Sequence, residues 1–233
     1  MISVSTLKES IYQPSYFSES VGTLTVTNKE EKTAARMLAS VEMRTQGTFI
    51  KFDNSILKDG NDIYQKEDRG KGRISFRRDC DGICLLEVGS RKLLLVIEVK
   101  SGYNEIKKKG FEQLVASYVK IRSILQSIDG YNPADYEEMG LLISYPPTGT
   151  RTVPEKSILE TKKAMIMQTA LDKLNNAKAA ELGEKKEVVL DLTDYYVDAC
   201  HVNPTLYNTS LHVKHIEVTD MAESETINLD AYL

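Results

Sequence analysis

Two apolar runs separated by a short polar turn constrain this chain more than any other feature. Ile83 to Val88 is one run and Leu93 to Lys100 the other, with Gly89-Ser90-Arg91-Lys92 between them. Runs of this length around a glycine turn predict a β-hairpin. A near-continuous apolar strand is one buried on both faces, so it belongs inside a sheet that other layers cover. The second run ends on Glu98-Val99-Lys100. Side chains alternate along a strand, which puts Glu98 and Lys100 on one face. Burying two charges in a core strand is expensive unless they pair or bind something.

Pairing the hairpin brings in a third charge. A two-residue turn at Ser90-Arg91, or a four-residue turn at Gly89 to Lys92, sets Gly89 opposite Lys92. Ile83 then faces Glu98, and Asp81 faces Lys100. Asp81 therefore shares the face of Glu98 and Lys100. A three-residue turn would move Asp81 to the other face. Asp79 has the same parity as Asp81 and would serve under a different register. Asp81 is preferred because Gly82 and the apolar run begin right after it.

Two close carboxylates repel unless a cation sits between them. Oxygen ligands of this kind suit Mg²⁺ or Mn²⁺, which keep several waters. Such an ion can polarise a phosphate and acidify a bound water, and a lysine beside it can stabilise developing negative charge. These are the parts needed to hydrolyse a phosphodiester.

Asp81, a hairpin, then Glu98-Val99-Lys100 resembles the core motif of the PD-(D/E)xK nuclease superfamily. The predicted order of helix, strand, hairpin, helix and strand over roughly residues 28–146 is similar as well. The resemblance implies a mixed α/β (α+β) fold: a restriction-endonuclease-like mixed β-sheet core flanked by helices. It implies Mg²⁺-dependent cleavage of DNA or, less often, RNA, with Mn²⁺ able to substitute. By the same resemblance Asp81 and Glu98 hold the metal and Lys100 serves the attacking water. Many members add a glutamate from the first helix, a place that Glu31 or Glu30 would fill here. One branch adds a glutamine and a tyrosine on the helix after the motif. Gln113 and Tyr118 are similar, with a spacing one residue longer. Cys80 stands where many members carry proline.

The rest of the chain reads more loosely. Residues 1–27 are expected to form an N-terminal arm, with short strands around Ser3 to Ser5, Ile11-Tyr12 and Leu24 to Thr27. An N-cap at Thr27 or Asn28, with Ala34, Met37, Leu38 and Val41 at helical spacing, predicts a helix over about 29–44. Thr48 to Phe52 reads as a strand and 53–72 as loop. Leu114, Tyr118, Ile121 and Leu125 predict an amphipathic helix over about 110–128. Met139 to Tyr145 reads as a strand and Thr150 to Leu182 as a long helical pattern. Glu187 to Leu192 and Leu211 to Val218 read as further strands. The nuclease-like core is thus expected over 28–147, with a C-terminal helix and strand extension over 148–233 packed on it. Met165-Ile166-Met167, Leu171 and Leu174 make that extension apolar enough for a core or for a homodimer or partner surface.

Charge and cysteine usage narrow the partners. The 233-residue chain has a formal net charge of -4, which alone argues mildly against a nucleic-acid binder. The balance is uneven along the chain. Lys66 to Lys109 holds twelve basic and seven acidic residues, a charge of +5, which leaves -9 for the rest. Arg77, Arg78, Lys107, Lys108 and Lys109 in that segment flank the motif, where a phosphate backbone would need them. A solvated charge run is the competing reading for the lysine triplet. Tyr131, Tyr136 and Tyr145 could stack on bases, although packing is the simpler role for each. Cys80 and Cys84, if on one strand, are roughly 13 Å apart, too far to share a zinc. Cys200-His201 with His212 and His215 has ligand residue types, but no second Cys-x-x-Cys supports a cluster. Three cysteines fit a reducing compartment. No apolar run spans a membrane and Met1 to Ser10 does not read as a signal peptide, so an intracellular, unsecreted protein is expected.

Overall fold

A computed structural model describes residues 2–11, 14–28, 38–60, 78–146, 162–195, 202–218 and 223–233, apart from the side chains of 59, 60, 104, 107, 108 and 162–171. In chain order the main elements begin with α1 (Val4–Ser10), β1 (Phe17–Thr27), β2 (Ser40–Phe52) and α2 (Ser55–Gly60). The hairpin strands β3 (Gly82–Val88) and β4 (Arg91–Lys100) follow. A helical turn, α3 (Tyr103–Glu105), runs through a π-turn at Ile106–Gly110 into α4 (Phe111–Gln126). Then come β5 (Glu137–Ser144), α5 (Lys162–Lys185), β6 (Glu187–Asp191), β7 (Ser210–Glu217) and β8 (Ser224–Asn228).

The strands form one mixed sheet in the order β1-β2-β3-β4-β5-β7-β6, and β8 pairs with β2 off this path. Strands β1 to β4 run antiparallel to one another, while β8 is parallel to β2. Strand β5 is parallel to β4, reached through α4, and β7 is parallel to β5. Parallel neighbours cannot be joined by a tight turn, so a crossover helix between β4 and β5 is required. The fold is thus an α+β arrangement, an eight-stranded mixed sheet flanked by helices.

Alternation along β4 divides the sheet into two faces. Leu94 and Val96 join the core that includes Leu114 and Tyr118 of α4, Leu182 of α5 and Leu7 of α1. Leu93, Leu95, Ile97 and Val99 join a second core with Leu24, Met43, Phe49 and Leu229. Both faces are covered, which is why β4 reads as continuous apolar sequence.

The helix expected over 29–44 is not present where it can be seen. Residues 29–37 lie outside the described residues, and Ser40 to Arg44 belong to β2, paired with β1 on one side and β8 on the other. Hydrogen bonding from two strands outweighs a helical spacing whose intrinsic preference is only tenths of a kcal/mol per residue. Near the N-terminus, Ser3 caps a helix where strand was expected, its Oγ accepting from Thr6 N at 3.1 Å. The helix over 110–128 and the strands at 139–145, 187–192 and 211–218 are present within a few residues of their expected bounds. No helix among the described residues is long and apolar enough to cross a membrane.

Candidate functional site

The β3–β4 hairpin turns at Gly89-Ser90, with Val88 opposite Arg91, Ile83 opposite Val96 and Gly82 opposite Ile97. This corrects the expected register, in which Gly89 faced Lys92. Gly89 adopts φ 57°, the left-handed conformation that a type II′ turn needs at its first central position. Centring the turn on Gly89 shifts the pairing by two residues, so the face of every side chain is preserved. Asp81, just before β3, comes beside Glu98 and Val99 rather than Lys100. Its N–H donates to Ile97 O at 3.0 Å, and its Oδ2 accepts from Val99 N at 2.9 Å.

Glu98 and Lys100 replace the apolar residues that precede them on the face of β4 toward α4. Both are fully buried, and Lys100 Nζ lies 2.5 Å from Glu98 Oε1. Asp81 is 7% exposed. The thiol of Cys80 senses both acids: burial first, then the Glu98 charge and more weakly Asp81, pushes it up to about 12.

The stretch before Asp81 is held by side chains. Ser117 Oγ on α4 accepts from Cys80 N at 2.8 Å, and Gln113 Nε2 donates to Asp79 O at 3.0 Å. Lys120, 1% exposed on the same helix, donates to Arg78 O at 3.2 Å and pairs with the Asp79 carboxylate. Asn54 Nδ2 donates to Cys80 O at 2.8 Å and Asp81 O at 3.2 Å.

Polar groups continue across the carboxyl ends of the parallel strands, where open α/β sheets bind their ligands. Lys100 is level with Ser144 on β5, and Ser144 with Glu217 on β7. Ser144 Oγ donates to Tyr145 O at 2.9 Å, so His215 Nε2, also 2.9 Å away, donates to Ser144. Burial pushes the His215 imidazole down to about 4, against the opposing pull of Glu217. The ring is therefore neutral at pH 7.

Asp81, Glu98 and Lys100 thus come together at the hairpin end, and Gln113 reaches the backbone two residues before Asp81. Tyr118 does not come near them. Its hydroxyl donates to Glu138 Oε2 at 2.5 Å, near the opposite end of β5. Arg78 forms an ion pair with Glu112 of α4. Lys109 is half-buried in the π-turn, which also contains the backbone of Lys107 and Lys108, whose side chains lie outside the described residues. Glu30, Glu31, Arg77, Cys200 and His201 also lie outside the described residues. Tyr131 and Tyr136 stack on each other at 5.0 Å, and both are buried, as is Tyr145. Cys80 and Cys84 are buried free thiols.

Sequence reasoning missed Asn54, Ser117, Lys120 and Ser144. A lysine and a serine inside the apolar pattern of α4, and a serine ending the apolar run of β5, were the available signals.

Among the described residues, no group of three or more His, Cys, Asp or Glu side chains is placed to hold a metal ion. Two carboxylates alone still match the donor set of Mg²⁺, which commonly takes one or two and keeps water and phosphate oxygens for the rest. No family model, curated protein or solved structure matches the chain.

Proposed function

We propose that the chain is a metal-dependent nuclease hydrolysing phosphodiester bonds of DNA, with RNA the less frequent substrate of such sites. The observation that carries this reading is the gathering of Asp81, Glu98 and Lys100 at one hairpin end, with Glu98 and Lys100 ending an apolar run that begins at Leu93. Asp81 and Glu98 would hold Mg²⁺, with Mn²⁺ able to substitute. When bound, such an ion supplies charge that polarises the scissile phosphate and lowers the pKa of its water. Asp81 is held in place by the Val99 N–H. Lys100 pairs with Glu98 and would orient the attacking water. The +5 segment from Lys66 to Lys109 supplies charge for a phosphate backbone.

A second reading is favoured by one specific observation. Glu98 and Lys100 have no exposed surface and form an ion pair at 2.5 Å, which suits a non-catalytic nucleic-acid-binding or assembly module that retains the fold. A cleavage assay separates the two. Single-stranded DNA, double-stranded DNA and RNA are incubated with Mn²⁺ and wild type, Asp81→Ala or Glu98→Ala. The nuclease reading expects cleavage by wild type and loss of at least about 100-fold in both variants, with the fold retained by circular dichroism. No cleavage of any substrate by wild type moves the conclusion to the second reading.

A further inference from the structure

We infer that Asn54, Ser117 and Lys120 form a clamp on residues 78–81 that presents Asp81, and not Asp79, to the site, which makes Lys120 a positioning residue for Asp81. The catalytic meaning of this rests on the nuclease reading, while the clamp itself is a matter of geometry. A stretch leading into a core strand must find partners for every backbone N–H and C=O that is shielded from water. Here most of those partners are side chains. Lys120 takes Arg78 O, Gln113 takes Asp79 O, Ser117 takes Cys80 N, and Asn54 takes the carbonyls of Cys80 and Asp81. Gln113, Ser117 and Lys120 recur at i, i+4 and i+7, so one stripe of α4 grips three successive residues.

Lys120 has a second task. Asp79 and Asp81 have the same strand parity, and either could be turned toward Glu98. The Lys120 ammonium pairs with the Asp79 carboxylate, which holds that acid toward α4. Asp81 is then the acid that reaches the end of the ladder, where its Oδ2 accepts from Val99 N at 2.9 Å. A buried lysine is expensive unless paired, and this one is 1% exposed and has two partners in the clamped segment. Its place in the apolar pattern of α4 follows from that.

The test uses the full chain with Lys120→Met, which keeps the length of the side chain and removes its donor. Amide hydrogen exchange at Val99 reports directly on the Asp81 carboxylate, with Leu95 in the same strand as internal reference. Direct Mn²⁺ binding is measured alongside by the loss of the free-ion electron paramagnetic resonance signal. The clamp predicts that Val99 protection falls at least about tenfold relative to Leu95. It also predicts Mn²⁺ affinity about 10-fold weaker, in the range found when residues that orient metal ligands are removed. Val99 protection within twofold of wild type overturns the clamp, whatever the metal does. Wild-type protein that binds no Mn²⁺ overturns the nuclease reading instead, and Val99 exchange still decides the clamp. If Lys120→Met does not fold, Ser117→Ala, which strips the partner from Cys80 N, is read by the same exchange ratio with the same limits.

Discussion

Replacing Lys100 by methionine leaves Glu98 fully buried without its cation. The pair is separated by 2.5 Å with no exposed surface on either side chain. At an effective dielectric constant of about 20, the Coulomb attraction at that distance is roughly 7 kcal/mol. The measurable loss is smaller, because the buried carboxylate can take up a proton. From an ordinary pKa of about 4.3, protonation at pH 7 costs roughly 4 kcal/mol, which caps the penalty. The expected destabilisation of Lys100→Met is therefore about 3–4 kcal/mol at pH 7, in line with other buried pairs stripped of one partner. In the variant the folded state holds a proton that the unfolded chain has released, so stability falls as pH rises above the ordinary carboxylate range. At pH 4.5, close to that ordinary pKa, roughly 40% of the unfolded chains are protonated at this site too, and the penalty should shrink to about 1 kcal/mol or less. The assay is urea unfolding at the two pH values followed by far-UV circular dichroism, since the chain has no tryptophan. The double variant Glu98→Gln/Lys100→Met should recover most of the loss at pH 7. A loss under about 1 kcal/mol at pH 7, or an equal loss at both pH values, would refute the claim that these two charges are shielded from water.

Two more measurements probe the same region. The His215 imidazole is pushed down to about 4, below its ordinary value, so the unfolded chain takes up this proton first as pH falls. Stability should drop by up to about 3 kcal/mol between pH 6.5 and 4 from this group, and His215→Asn should flatten that slope; parallel slopes for the two proteins would count against it. The Cys80 thiol is pushed up to about 12 and Cys84 higher still, both chiefly by burial. Peptide-mapped alkylation at pH 8 should therefore leave both unmodified in the folded protein and label both in urea, and labelling of either at the rate of a free thiol in native buffer would show that the core around it is open.

The hairpin and the charges on it were legible because they depend on local rules. A glycine turn between two apolar runs and the two-residue alternation of a strand suffice to place Glu98 and Lys100 together. The register needed one further fact, the left-handed conformation at Gly89, and the expected turn was centred two residues away in pairing terms. Parity survived the shift, so the face assigned to Asp81 did not change while its neighbour did. The stretch Ser40 to Arg44 misled for a different reason. Val41 continues an apparent helical spacing, but its environment is set by β1 and β8, and the β8 partners lie at the other end of the chain. The clamp was illegible in the same way. Asn54, Ser117 and Lys120 are ordinary polar residues in sequence, and only the packing of α4 on the strand entry makes them partners of residues 78–81.

Strand β2 has an implication for the order in which the molecule assembles. Its first five residues pair with β8 and its last five with β3, while β1 runs along its other edge. Next to the β8 contact, Thr45 donates to Asp230, 185 residues away. The hairpin can close within a few residues, whereas this seam waits for the last segment of the chain, and such long-range pairing is what slows the folding of sheet proteins. Until it closes, Ser40 to Arg44 present an unpaired strand edge, the kind of surface on which chains join one another. Residues 224–230 therefore act as a late fastener whose arrival ends the interval in which a nascent or partly folded chain is most exposed to misassembly.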